Sequence, residues 1–175
     1  MGKRISPDAG ETAWFAELLA RTQTALYQFA RGLTGEPELA RDLTQDAFVA
    51  AWRALRAGTP PFDGTGATTE AGDTAVRRWL FTVTYRHALK ARRRRQRIAW
   101  EPLDADGLYE SAAGAASSSF EDRVADAEAL RAALLTLDPQ DAACFLLQAV
   151  YGFATTEIAA IVGAQPDATR KRLSR

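Results

Sequence analysis

Residues Glu38–Leu55, ELARDLTQDAFVAAWRAL, carry two patterns on a single helical period. Leu39, Leu43, Ala47, Ala50 and Ala54 recur every three to four residues, and Phe48, Trp52 and Leu55 widen that apolar stripe. Asp42, Gln45, Asp46, Val49 and Arg53 follow the same period on another face. A helix that needs only solubility usually mixes Lys with Glu. Short acidic and amide groups around an exposed Val instead suit a docking surface, with an ordinary solvated face as the alternative.

The surrounding chain has 175 residues, room for one domain or two small helical ones, and its 47% apolar content supports real cores. No apolar run is long enough to insert in a membrane, and MGKRISPDAGETAW lacks the apolar segment of a signal peptide. Cys144 is the only cysteine and His87 the only histidine, so disulfides and cysteine- or histidine-rich metal sites are excluded. Glycine-rich phosphate loops and nucleophile motifs are missing too. These features predict a cytoplasmic protein with no metal, no cofactor and no catalytic residues of its own.

A formal net charge of zero hides blocks of one sign. Thr74–Trp100 contains no acid but holds Arg77, Arg78, Arg86, Lys90, Arg92, Arg93, Arg94, Arg95 and Arg97. From Glu101 to Glu128 the sign reverses, with Arg123 the sole cation, and the last residues turn basic again. Such sorting predicts separate polyanion-binding surfaces joined by an acidic connector.

Helical signals dominate the rest, and no strand pattern stands out. Phe15, Leu18, Leu19, Thr22, Leu26, Phe29 and Leu33 make an amphipathic helix that should stop at Thr34-Gly35, with Pro37 opening the next. RAGTPPFDGTGATTEAGDT, residues 56–74, reads as a loop, and a basic helix is expected over about Val76–Arg97. Glu101–Phe120, with AAGAASSS, reads as a flexible linker. Another helix is expected over Val124–Leu137, and Asp138 with Pro139 should start the one after it.

On the basic helix, Phe81, Tyr85, Ala88 and Leu89 form an inward stripe, opposite Trp79, Thr82, Arg86, Lys90, Arg93 and Arg97. Cations can neutralise phosphates while an indole stacks on an unpaired base, although the same spacing also suits Trp79 as core. His87 reads as a polar surface or capping residue. At the C-terminus, Thr155 or Thr156 starts a short helix with Ile158, Ala159 and Val162 inward. Gly163 then permits a tight turn, and Pro166-Asp167 launch a last helix. Thr169 and Leu173 point inward there, leaving Asp167, Arg170, Lys171 and Ser174 outside. This is the pattern of a helix-turn-helix whose second helix enters a major groove, or of a plain three-helix bundle.

In this order the segments resemble the extracytoplasmic-function group of bacterial RNA polymerase sigma factors. GLTGEPELARDLTQDAFVAAWRAL is similar to that family's core-binding helix, RRWLFTVTYRHALKARRRR to its minus-ten helix, and GFATTEIAAIVGAQPDATRKRLSR to its minus-thirty-five reader. The resemblance implies an all-α chain of two small domains: an N-terminal bundle at 12–99 and a C-terminal helix-turn-helix at 123–175, joined by an acidic linker at 100–122. It implies that Asp42, Gln45, Asp46, Val49 and Arg53 bind the β′ clamp of the core polymerase. Trp79, Thr82, Arg86, His87, Lys90 and Arg93 would lie along melted minus-ten DNA, with a base held by the loop at 57–73. Arg170, Lys171, Arg172 and Arg175 would engage the minus-thirty-five duplex. The β flap and an anti-sigma factor are further partners it implies.

Three departures accompany the likeness. The 57–73 loop is longer and richer in Gly and Thr than the family's, Ala154 stands where a capping Ser is usual, and the family's last helix continues past the equivalent of Arg175. Two other readings remain open at this level: a helix-turn-helix regulator that binds duplex DNA without polymerase, and an adaptor that sequesters a partner through Glu38–Leu55.

Overall fold

The computed structural model describes residues 9–59, 61–62, 70–98 and 119–174. These form seven helices and no strand: α1 (Ala9–Thr34), α2 (Pro37–Ala57), α3 (Glu70–Ile98), α4 (Ser119–Thr136), α5 (Pro139–Ala149), α6 (Thr155–Val162) and α7 (Pro166–Leu173). The first three pack on one another, as do α5, α6 and α7.

Local chemistry sets most of the boundaries. Gly35, at φ 76°, adopts the left-handed conformation that ends α1, and its amide bonds back to the Arg31 carbonyl at 2.8 Å. Two residues later Pro37 opens α2, where its missing N–H costs nothing. Asp138 caps α5, its carboxylate accepting from the Gln140 amide at 2.9 Å. Gly163, at φ 68°, makes the turn between α6 and α7. The expected cap and turn residues therefore do what their chemistry suggests.

Two helices start earlier than expected. α3 begins at Glu70 rather than about Val76, so the stretch assigned to a loop contains its first turn. The Gly and Thr there are poor helix formers, but Asp73 pairs with Arg21 of α1, and that tertiary tie outweighs propensity. α4 begins at Ser119, inside the segment assigned to the linker, with no local stop signal before the expected start at Val124. Residues 63–69 and 99–118 lie outside the described residues, as does most of the acidic connector.

Leu26, Phe29 and Leu33 of α1 and Val76, Leu80, Phe81 and Tyr85 of α3 are buried, and they join one apolar cluster with Leu146, Leu147, Phe153, Ile158 and Ile161. The two helical units therefore share a core, because α1 packs on α4 and α5 while α3 packs on α6. On α2 the most buried positions are Ala40, Leu43, Thr44, Ala47, Phe48 and Ala51. Ala50 and Ala54 of the expected stripe sit at its half-buried edge.

Cys144 lies inside this core, and burial pushes its thiol up to about 11 from 9.0. At pH 8 it carries about a hundredth of the thiolate of an unburied cysteine, since each pKa step is tenfold. Maleimide labelling at pH 8 should therefore be at least about a hundredfold slower on the folded chain than in denaturant. Equal rates would place Cys144 at the surface.

Candidate functional site

Three faces carry the chemistry. On α2, Asp42, Gln45, Asp46, Val49 and Arg53 are all exposed, so the expected second face exists as one strip. Val49 leaves 40% of its surface in solvent, and it gains interest because it stands on the rim of an apolar groove rather than alone. The strip borders a groove of about 770 Å³ between α1 and α2, with Phe15, Leu19 and Tyr27 on one wall and Phe48, Val49 and Trp52 on the other. Phe15 and Trp52 meet at 5.0 Å with their rings tilted by 57°, and Arg56 lies over the Trp52 ring. The α1 wall was absent from the expected site. Periodicity marks these residues as apolar but cannot show which of them sit at a shared open edge.

On α3, Arg86, Lys90 and Arg93 are exposed at intervals of four and three, and Thr82 is half-buried beside them. Among the described residues these three cations make no ion pair, so their charge remains available to an external anion. Trp79 is held more tightly than an exposed stacking residue: it is half-buried, with Phe62 edge-on at 5.3 Å and Phe62 in turn against Trp14 at 6.2 Å. Phe62 thus anchors the start of the loop onto α1 and α3.

His87 sits in a cleft between α2 and α3 with Asp46, Lys90 and Arg94, and its Nδ1 is buried without a hydrogen-bond partner among the described residues. Asp46 borders both this cleft and the α2 strip. The acidic docking face and the basic α3 face are therefore neighbours.

Several members of the basic block serve the fold instead. Arg77 donates to the Tyr151 carbonyl at 2.8 Å, Arg92 to the Leu33 carbonyl at 3.2 Å, and Arg95 pairs with Glu36. A run of like charges in sequence does not reveal which members find internal acceptors.

On α7, Asp167, Arg170, Lys171 and Ser174 are exposed and Thr169 is fully buried, as the spacing predicted. Arg170 pairs with Asp167 at 2.8 Å, one turn away on the same helix. Arg172 differs from its neighbours: it turns inward to pair with Asp141 and approaches Asp138 at 3.9 Å, joining α7 to α5. Arg175 lies outside the described residues. At the start of α6, Ala154 offers no side-chain cap, but the Glu157 carboxylate accepts from its amide at 3.0 Å, which supplies half of a capping box.

Residues 18–63 match Sigma-70 region 2, and residues 127–175 match Sigma-70 region 4. Together the two matches cover more than half of the chain, in the order expected from the sequence. The chain belongs to the sigma-70 family. It is a sigma factor of the extracytoplasmic-function type, which binds core RNA polymerase and directs promoter recognition, melting and transcription initiation.

The fold agrees with solved structures of similar proteins. One is the sigma factor RpoE in complex with the anti-sigma factor NepR from Bartonella quintana, at TM-score 0.63 and 23% identity, covering 92% of this chain and 90% of that one. Another is CnrH in complex with the cytosolic domain of CnrY, at TM-score 0.61 and 24% identity, covering 95% and 84%. The region 2 match ends before α3 begins, so it takes in the α2 strip and its groove, Phe15 excepted, but not the basic helix.

The two arginines of α7 should separate in experiment. Arg172→Ala should lower the melting temperature by a few degrees, because it leaves Asp141 without its partner, whereas Arg170→Ala should leave it unchanged. Thermal denaturation by circular dichroism checks both. Ala154→Ser should add the other half of the capping box and stabilise the chain by about 1 kcal/mol.

Proposed function

We propose that the α2 strip, Asp42, Gln45, Asp46, Val49 and Arg53, is the surface that docks on the β′ clamp of the core polymerase. The observation that carries this is an exposed valine, framed by acid and amide groups, on the rim of an apolar groove. A partner presenting basic groups around an apolar ridge fits such a surface. The same groove suits the apolar face of an anti-sigma helix, and the two partners would then compete.

The α3 face, with Thr82, Arg86, His87, Lys90 and Arg93, binds the separated minus-ten strands. Its free cations hold the backbone, and Trp79, braced by Phe62, marks where the 57–73 loop receives an unpaired base. A captured base no longer restacks, which stabilises the melted state. Arg170 and Lys171 of α7 read the minus-thirty-five duplex, while Arg172 orients α7 from behind. The working units are α1–α3 and α4–α7, with the acidic stretch between them as connector and the β flap holding the second unit. The chain supplies recognition and no catalytic group, and it acts in the cytoplasm, at the nucleoid with polymerase. No described helix is long and apolar enough to cross a membrane.

Asp46→Arg should abolish co-purification with core polymerase and leave helicity and melting temperature nearly unchanged, since opposed like charges at an interface cost several kcal/mol while exposed substitutions cost little. Equal loss of folding and binding would make Asp46 structural.

For the basic helix, Arg86→Ala with Lys90→Ala should cut open-complex formation on a duplex promoter at least about tenfold. On a template already mismatched at minus ten the loss should be much smaller, because pre-melting removes the unpairing cost. Permanganate footprinting measures both templates. Equal loss on the two would make α3 a general anchor.

A further inference from the structure

The outward face of α7 runs Asp167, Arg170, Lys171 and Ser174. Three of these suit a polyanion. The first does not, and it stands in the opening turn, the part of a recognition helix that enters the major groove and meets base edges. A carboxylate there approaches two rows of phosphates, so it opposes binding to any duplex. Its help to the fold is small. An acid complements the helix dipole, but Asp167 leaves 85% of its side chain in solvent and Arg170 leaves 71%, where an ion pair is screened.

The geometry of the pair suits a different use. Arg170 donates from Nη1 to Oδ1 of Asp167 at 2.8 Å, and among the described residues that is the only side-chain hydrogen bond of either group. The Nη2–Nε edge of the guanidinium remains, and so does Oδ2 of the carboxylate. Two parallel N–H donors match O6 and N7 of guanine. Tethering one end of the guanidinium fixes its plane, so less side-chain freedom is lost when the other edge meets a base.

The carboxylate has only lone pairs to offer. Guanine and thymine present acceptors in the major groove and repel it. Adenine places its amino group beside the N7 acceptor, whereas cytosine offers N4 with no acceptor next to it. Cytosine is thus the base that Asp167 favours. Three residues span about 4.5 Å along a helix, close to the spacing of about 3.4 Å between stacked base pairs, so the guanine and the cytosine lie on neighbouring pairs.

We propose that Asp167 determines the specificity of the minus-thirty-five reader: it sets Arg170 for a guanine and itself accepts from the N4 amino group of a cytosine on the neighbouring pair. This deepens the reading of α7 given above and rests on it. The arrangement gives up affinity for every duplex and gains selectivity at two positions.

The test is selection by the holoenzyme, this chain with core polymerase, from a duplex library randomised across the minus-thirty-five element, with the bound fraction sequenced. The unmodified chain should enrich a guanine with a cytosine on the adjacent pair. Asp167→Ala should reduce the cytosine preference about tenfold and the guanine preference by less, and should raise affinity for a scrambled duplex. Asp167→Asn should move the preference from cytosine to adenine, since an amide both accepts from N6 and donates to N7. Melting temperatures of both variants should stay within about two degrees of the unmodified chain's, given the exposure of the site.

A helix-dipole role alone would instead lower the melting temperature and weaken binding to every sequence alike, and that result would remove Asp167 from the reader. An unchanged base preference in both variants would do the same. Arg170→Ala with Lys171→Ala tests the reading beneath it. If that double variant keeps the unmodified selection, α7 does not read the element, and the role of Asp167 falls with it. Loss of selection there, with no change in the Asp167 variants, overturns only the role given to Asp167.

Discussion

Phe29, Phe81, Tyr151 and Phe153 interlock their rings where α1 and α3 meet the segment between α5 and α6, and the arrangement of the two halves depends on that cluster. Phe81 is its centre, with ring centroids 5.1 Å from Phe29, 4.8 Å from Tyr151 and 5.1 Å from Phe153. Tilted and edge-on pairs of this kind add about 0.5–1.5 kcal/mol each beyond the area they bury. The half-buried Tyr151 also satisfies its hydroxyl by donating to the Ala25 carbonyl, which offsets the cost of shielding it from water. Burial also holds that phenol in its neutral form, pushing it up to about 12. Arg77 completes the cluster by laying its guanidinium on Phe153 while its N–H group is satisfied by the Tyr151 carbonyl.

The elements themselves were largely legible in the sequence because their signals are local. Thr34-Gly35-Glu36-Pro37 ends one helix and starts the next through backbone geometry that needs no distant partner, and Asp138-Pro139 does the same for α5. The α2 strip was readable because Asp42, Gln45, Asp46 and Arg53, with Val49 among them, recur with the helical period on a face apart from the apolar stripe. The buried Thr169 of α7, with Asp167, Arg170 and Lys171 outside, followed from the same reasoning over eight residues. Local periodicity settles which face turns away from water.

It does not settle what that face meets. Leu26, Phe29 and Leu33 are recognisably a core stripe, yet nothing in their spacing says that α5 rather than α2 covers part of it. Phe62 looked like a loop residue and became the brace for Trp79, because a partner seventeen positions away decides its burial. The arginines were the hardest to sort. Arg77, Arg92 and Arg172 resemble Arg86 and Arg170 in every local respect, but acceptors supplied by distant parts of the chain make the first three structural. Gly32 carried a usable signal all the same: a glycine in a long helix, with no turn to justify it, marks a place where another chain segment comes close.

That division of cations connects the fold to its task. A protein that binds a polyanion needs positive charge at its surface, and the fold here draws on a separate set of cations. Arg77 is satisfied by a carbonyl and by aromatic faces rather than by a buried carboxylate, which avoids the penalty of desolvating an ion pair. The peripheral pair Arg31–Glu128, with its carboxylate half exposed, adds little holding strength. Arg86, Lys90 and Arg93 of α3 make no ion pair among the described residues, and Arg170 of α7 has only the exposed Asp167 beside it, so these outer faces are the ones available to an external polyanion. Their attraction weakens with salt as counterions compete, whereas the aromatic packing that joins the helices does not.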